Sequence, residues 1–329
     1  MFSLTVLVFI VCLALSFDFI NGFHDTANAI ATSVSTKALS PRAAIMIAAS
    51  LNFIGALSGT AVATTIGKSI VAPENVTSLV LITALIGAIF WNLFTWYYGI
   101  PSSSSHALIG GLIGGVVAEF GIDSVIWHGF FTILTGLILA PIIGLLAGSM
   151  VMTLLFWVFR QASPAKINNN FRKMQVLSAG MASFAHGSND AQKSMGIITI
   201  MLVSGGFINT FHVPFWVVVS CALAMAAGTA IGGWRIIRTM GGKIFRIEPI
   251  NGFAADFTSA VVIYCASLLG APVSTTHVVS SSIMGVGAAK RMRGVRWNIA
   301  RQILIAWFIT IPSAALAAII IYNVLNLFL

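Results

Sequence analysis

The sequence predicts an all-α integral membrane protein. Two inverted-topology repeats of about five crossings each are expected, with discontinuous helices, re-entrant hairpins and ten to twelve membrane segments in all. Three observations predict it: a very apolar composition, a motif set that occurs twice in the same order, and a connector charge that reverses between the copies.

Of the 329 residues, 58% are hydrophobic and 8% charged, whereas a soluble domain carries about 25% charged residues. No aqueous fold of this size hides so much apolar surface, so the solvent is lipid. The mean hydropathy of +0.99 agrees. A net charge of +9 would suggest nucleic acid in a soluble protein. Here Lys and Arg fall almost wholly in short connectors, as topology signals, and no nucleic-acid partner is expected. Cys12, Cys221 and Cys265 lie in apolar runs and show no disulfide or metal spacing. Residues 1–20 are apolar and no Lys or Arg precedes Lys37, so this stretch reads as a retained span rather than a cleavable signal.

Apolar segments cover roughly 2–20, 26–36, 43–66, 78–99, 105–119, 129–159, 176–186, 191–205, 213–234, 252–269, 276–288 and 299–328. Several reach the length of about 20 residues that spans a bilayer as a helix. Those at 26–36, 105–119, 176–186, 191–205 and 276–288 are shorter and read as half-helices or re-entrant pieces.

Asn21-Gly22-Phe23-His24-Asp25 recurs as His186-Gly187-Ser188-Asn189-Asp190, 165 residues later. Gly99-Ile100-Pro101-Ser102-Ser103-Ser104-Ser105-His106 recurs as Gly270-Ala271-Pro272-Val273-Ser274-Thr275-Thr276-His277, 171 residues later. Pro41 and Pro214, Gly55 and Gly228, and Gly59 and Gly232 keep step at 173. The order implies a duplication: residues 1–160 as the first repeat, 161–173 as a linker, and 174–329 as the second.

Connector charge then sets orientation. Loop 36–42 holds Lys37 and Arg42, while 206–212 has no Lys or Arg; loop 67–77 holds Lys68 and Glu74, against Arg235, Arg238, Lys243 and Arg246 in 235–249. Loop 119–128 holds Glu119 and Asp123, against Lys290, Arg291, Arg293 and Arg296 in 289–298. The bias flips at every pair, so equivalent loops face opposite sides of the membrane. The basic linker goes to the cytoplasm and both termini fall outside.

Asp18, Asp25, Asp190 and Asp256 lie in or beside apolar segments, where an ionisable side chain is costly and marks a site by default. Asp25 and Asp190 are repeat-related, so a pseudo-two-fold axis would bring them together near the midplane. Around them, Asn21, Asn28, Asn189 and Gln192 supply amide oxygens suited to a hard cation, or to a proton relay with the carboxylates. Asp25, Asn28 and Thr32 share a helix face. A sodium ion at Asp25, Asn28 and Asp190 is one expectation. Gly22 and Gly187 permit a helix break that would free carbonyls as further ligands. Lys193, three residues after Asp190, either neutralises it or offers positive charge to an anion. His24 and His186 are ligands, proton carriers or interhelical clamps.

Ser103, Ser104, Ser105 and their repeats Ser274, Thr275, Thr276 follow a proline and precede an apolar stretch. Proline and hydroxyl residues favour a helix start. Each motif therefore puts a helix N-terminus inside the bilayer, where free N–H groups and the dipole attract an anion. Two such ends facing each other would enclose a tetrahedral oxyanion. Asp25 and Asp190 could accept a hydrogen bond from phosphate but not from sulfate, which tilts the reading toward phosphate. His106 and His277 sit just inside, as proton relays or as hydrogen bonds holding the hairpin. Ser105, His106 and Asp25 also have the residue types of a hydrolase triad. Duplication and position at a helix start argue against an enzyme, and midplane carboxylates fit coupled transport better than a passive channel.

The stretch Asn21-Gly22-Phe23-His24-Asp25-Thr26-Ala27-Asn28-Ala29, the stretch His186-Gly187-Ser188-Asn189-Asp190-Ala191-Gln192-Lys193, and the two Pro-x-Ser-Ser/Thr-Ser/Thr-His segments together resemble the inorganic phosphate transporter (PiT) family. The resemblance covers nearly the whole chain. It implies a homodimeric secondary transporter of the plasma (inner) membrane, a symporter moving inorganic phosphate with Na⁺ or H⁺, by alternating access and with no cofactor. Sodium-coupled members carry Asn-Asp in both halves, whereas this chain has His24-Asp25 in the first. The pattern is closer to bacterial low-affinity members, which implies proton coupling and a divalent metal–phosphate substrate. Sulfate permeases are close relatives, so a sulfate or other oxyanion carrier is the alternative.

Overall fold

The computed structural model describes residues 3–69 and 75–328; Glu74 lies outside them. Among the described residues there are twelve α-helices and no strand. The first half supplies α1 (Leu4–Ser35), α2 (Pro41–Ala56), α3 (Ala61–Ser69), α4 (Ser78–Tyr98), α5 (Ser104–Phe120) and α6 (Trp127–Val158). The second supplies α7 (Pro164–Ser204), α8 (Phe215–Ile231), α9 (Trp234–Arg238), α10 (Pro249–Leu268), α11 (Thr275–Arg291) and α12 (Trp297–Asn326). Twelve helices fall within the ten to twelve segments expected. By length and hydropathy alone, α1, α4, α6, α10 and α12 qualify as crossings, and the bent pairs α2–α3 and α8–α9 make seven.

The halves exchange partners. α2 packs on α7 as α8 packs on α1, and α6 packs on α11 as α12 packs on α5. This reciprocity is what a pseudo-two-fold between repeats produces. Local chemistry repeats too. Gly99 and Gly270 end α4 and α10 with φ of +66° and +69°, the left-handed turn that glycine adopts without strain. Pro141 and Pro312 lie inside α6 and α12, again 171 apart.

The helix breaks differ from expectation. α1 runs unbroken for 32 residues through Gly22 and Asp25, and α7 for 41 residues through Gly187 and Asp190. The segments 26–36, 176–186 and 191–205 are therefore parts of long helices, not half-helices. The reason is steric: Gly22 and Gly187 serve close approach. A Cβ on Gly22 would strike the Met225 carbonyl, and one on Gly228 the Phe19 carbonyl. At the mirror crossing, a Cβ on Gly187 would strike the Asn52 carbonyl, and one on Gly55 that of Phe184. The actual discontinuities are bends of 67° between α2 and α3 and 60° between α8 and α9, beside Gly59 and Gly232. The short segments 105–119 and 276–288 are α5 and α11, 17 residues each.

At about 1.5 Å per residue, α7 is roughly 60 Å long, twice the hydrocarbon thickness. Residues 164–173 of the basic linker are its first turns. Its central polar residues stay buried because α1, α2 and α10 sheath them. Two apolar clusters make up the interior. Phe17 and Ala191 belong to one, Ala27 and Ala185 to the other. Asp25 and Asp190 thus lie where α1 and α7 pass from one cluster to the other.

Candidate functional site

Two hydrogen-bonded helix starts define the site. Ser103 caps α5 by accepting from His106 N at 3.2 Å, and Ser274 caps α11 by accepting from His277 N at 3.3 Å. An N-terminal turn leaves its first N–H groups without intrahelical partners, here those of Ser104 and Ser105, and of Thr275 and Thr276. The two starts lie together. Ser105 Oγ donates to Val273 O, just before α11, at 3.0 Å. The imidazoles of His106 and His277 pack with centroids 4.5 Å apart.

The next hydroxyls hold the acids. Ser104 Oγ donates to Asp25 Oδ2 at 3.2 Å, and its repeat Thr275 donates to Asp190 Oδ2 at 2.8 Å. Thr276 Oγ1 donates to Asp25 Oδ1 at 3.1 Å. Asn28 Nδ2 donates to Thr276 Oγ1 at 3.0 Å and Thr275 Oγ1 at 3.3 Å, and its Oδ1 has no partner. Lys193 Nζ forms a hydrogen-bonded ion pair with Asp190 Oδ1. It also donates to Ser105 Oγ at 2.5 Å and Val273 O at 3.2 Å. His186 Nε2 lies 3.0 Å from Asp190 Oδ2. One ligand atom each of Asp25, His186 and Asp190 lie within 4.8 Å of one another, a spacing that could hold a metal ion. All of these side chains are 3% exposed or less. Buried charge at this depth survives only when paired and hydrogen-bonded, and this cluster meets that condition.

Two expected contributors, Gln192 and Asn189, are engaged elsewhere. Gln192 Oε1 accepts from Val62 N at 2.8 Å and Ala63 N at 3.3 Å, and its Nε2 donates to Ser188 O at 2.6 Å. It caps α3 and does not join the acids, because its i+2 position from Asp190 faces another side of α7. Asn189 Nδ2 donates to Ser267 Oγ at 3.0 Å and Ala271 O at 3.3 Å, clamping the α10–α11 turn. Asp190, expected around a sodium ion, has Oδ1 paired with Lys193 and Oδ2 bonded by Thr275. Asn21 is fully buried, and neither of its amide atoms has a hydrogen-bond partner.

His24 takes the clamp role in the first half. Its Nδ1 meets Asp25 Oδ1 at 2.8 Å, and its Nε2 lies 3.1 Å from Thr95 Oγ1 and 3.4 Å from Ser102 Oγ. Thr95 and Ser102 share a 2.7 Å bond across the α4–α5 turn. Thr32 leaves the Asp25 group and donates to Asp256 at 2.6 Å, and Asp18 accepts from Ser194 at 2.7 Å. Thr95, Ser267, Asn52 and Thr229 went unread in the sequence. Asn52 lies 3.1 Å from His186 Nδ1 and donates to Thr229 at 2.8 Å. Their only signal is a polar residue inside an apolar run.

In a bilayer, a duplicated set of acids, hydroxyls and helix starts suits taking a small ion out of water and releasing it again. Fold and site together define a multi-pass membrane carrier. The sequence profile described as the phosphate transporter family matches residues 21–169 and again 160–318. The chain belongs to that family, whose members are transporters and not enzymes.

The chain is 51% identical over 327 residues to a "Probable low-affinity inorganic phosphate transporter" of Bacillus subtilis (strain 168), covering 98% of each. It is 47% identical over 318 residues to a protein of the same description from Rhizobium meliloti (strain 1021), covering 96% of this chain and 95% of that one. A solved structure described as "The sodium-dependent phosphate transporter" superposes with a TM-score of 0.89 at 26% identity, over 99% of this chain and 100% of that one.

Proposed function

We propose that this protein carries inorganic phosphate across the cell membrane by symport with protons. Phosphate would bind at the joined N-termini of α5 and α11, on the free N–H groups and hydroxyls of Ser104, Ser105, Thr275 and Thr276. The observation that carries the reading is the paired bond of Ser104 to Asp25 and Thr275 to Asp190. Hydroxyls at the helix starts donate to Asp25 and Asp190, so a proton arriving on Asp25 would release Ser104 and Thr276 to donate to the anion. Asp25 is the coupling acid in this reading. It has no cationic lysine beside it, whereas Asp190 has Lys193. Protonating Asp25 lowers repulsion toward the anion, and one bundle then rocks against the other. The protein works as a homodimer in the inner membrane, with the basic turn at the start of α7 in the cytoplasm.

Sodium in place of the proton is the second reading. The unpartnered Asn28 Oδ1 beside the Asp25–Thr276 bond favours it, as does the sodium dependence named for the similar solved structure. Uptake of labelled phosphate into proteoliposomes separates the two. An inward proton gradient should raise uptake without sodium. Uptake that ignores that gradient and follows sodium would replace the proton with sodium, and equal competition by excess sulfate would count against phosphate selectivity.

A further inference from the structure

Asn28 and Lys193 occupy the same place in the two repeats, each three residues after its aspartate and 165 apart in the chain. Their hydrogen bonds mirror each other as well. Asn28 Nδ2 reaches Thr276 Oγ1 at 3.0 Å, while Lys193 Nζ reaches Ser105 Oγ, the repeat of Thr276, at 2.5 Å. In the first half Thr276 bonds Asp25 Oδ1 directly at 3.1 Å. In the second half the corresponding pair, Asp190 Oδ1 and Ser105 Oγ, is bridged by the ammonium of Lys193. That ammonium is held by a carboxylate, a hydroxyl and the Val273 carbonyl, an all-oxygen donor set suited to a hard monovalent cation. The first half has the same acid and hydroxyl, and in place of the ammonium an amide whose oxygen is buried and unpartnered.

We propose that Lys193 is a tethered cation that permanently fills the second-half counterpart of a mobile cation site, so that each transport cycle takes one free cation fewer than an Asn at this position would require. The charge argument supports it. A carboxylate at this depth needs a positive partner for the region to stay folded. Asp190 carries a permanent one in Lys193, whereas Asp25 has the His24 imidazole and no lysine. A covalently held ammonium also spares the entropy of capturing an ion at each turnover. The proposal rests on cation-coupled transport as read above and assigns the asymmetry of its stoichiometry to one residue.

The test uses Lys193→Asn in the full-length protein, which restores to the second half the amide found in the first. Two readouts are made in sodium and in choline: the melting temperature of detergent-purified protein, and phosphate uptake in proteoliposomes. Lys193→Asn should show a larger sodium-induced rise in melting temperature than wild type. Its uptake should gain a sodium dependence of about tenfold, within the usual range of coupling between bound ligands. Should the variant prove unstable in choline, sodium or methylammonium must restore its melting temperature. A folded variant with the sodium response of wild type, or instability indifferent to every small cation, overturns the proposal. Wild-type protein that melts normally but takes up no phosphate would refute the transport reading instead, since the melting readout needs no phosphate.

Discussion

His277 stacks on Trp307 with ring centroids 3.8 Å apart, and on its other side meets His106, its counterpart in the first repeat. The three rings join α5, α11 and α12 behind the helix starts. His277 Nε2 is buried and unpartnered, while His106 Nδ1 lies 2.7 Å from Ser103 Oγ. The geometry is that of a packing device, and a cavity of about 390 Å³ lined by both histidines lies beside it.

His277→Phe should therefore keep the stack while losing both ring nitrogens, of which Nε2 has no partner. Its melting temperature should stay near wild type, with phosphate uptake retained. His277→Ala removes the stack, with aromatic pairs worth about 0.5–1.5 kcal/mol beyond area burial, and should melt clearly lower. Abolished uptake in a well-folded His277→Phe protein would mean the ring moves protons.

The two acids should respond differently to neutralisation. Asp190→Asn strands the buried ammonium of Lys193 and should cost about 3–5 kcal/mol, as does removing one partner of a buried pair. Asp25→Asn leaves no lysine stranded, since its neighbours are Ser104, Thr276 and His24. That variant should fold and lose gradient-driven uptake. Thermal melts beside counterflow and uptake assays would decide. Equal melting temperatures for the two variants would contradict the charge assignment.

The crossing glycines should tolerate no methyl group. In Gly228→Ala the new Cβ meets the Phe19 carbonyl, and in Gly55→Ala that of Phe184. Overpacking of this kind costs about 1–3 kcal/mol. Gly242, with nothing within 4 Å of its would-be Cβ, is the control and should accept Ala without loss. Size-exclusion profiles and melting curves of the three proteins check this.

Gln192→Ala should act on stability and leave cation dependence alone. The substitution uncovers the Val62 and Ala63 N–H groups at the start of α3, and a lost cap costs about 1 kcal/mol. Gln192→Glu keeps an acceptor for those N–H groups but sets an oxygen against the Ser188 carbonyl and buries a charge, so it should recover little of it. A changed sodium or proton dependence of uptake in Gln192→Ala would return this residue to the coupling site.

Several features were legible because they depend on residue type and spacing. The paired motifs named Asp25, Asp190 and the two hydroxyl triplets, and capping chemistry at Ser103 and Ser274 follows from local sequence. Less legible was the purpose of the glycines. Gly22 and Gly187 read as helix breakers, but α1 and α7 continue through them, since a glycine's missing side chain matters only once a neighbouring backbone is known. The same limit hid the turn clamps: Asn189 and His24 reach Ser267 and Thr95, 78 and 71 positions away.

Composition, duplication and reversed connector charge were enough to determine a lipid-embedded, twice-repeated helical bundle with acids and helix starts at its centre. These follow from hydrophobicity and from local backbone chemistry, which act along the chain. Tertiary structure decided which donor meets which acceptor: that Thr276 of one repeat holds Asp25 of the other, and that Lys193 bridges Asp190 to Ser105. Such pairings depend on angles and separations between helices far apart in sequence. A carboxylate has the same formula whether a hydroxyl or an ammonium reaches it, and only the packing chooses.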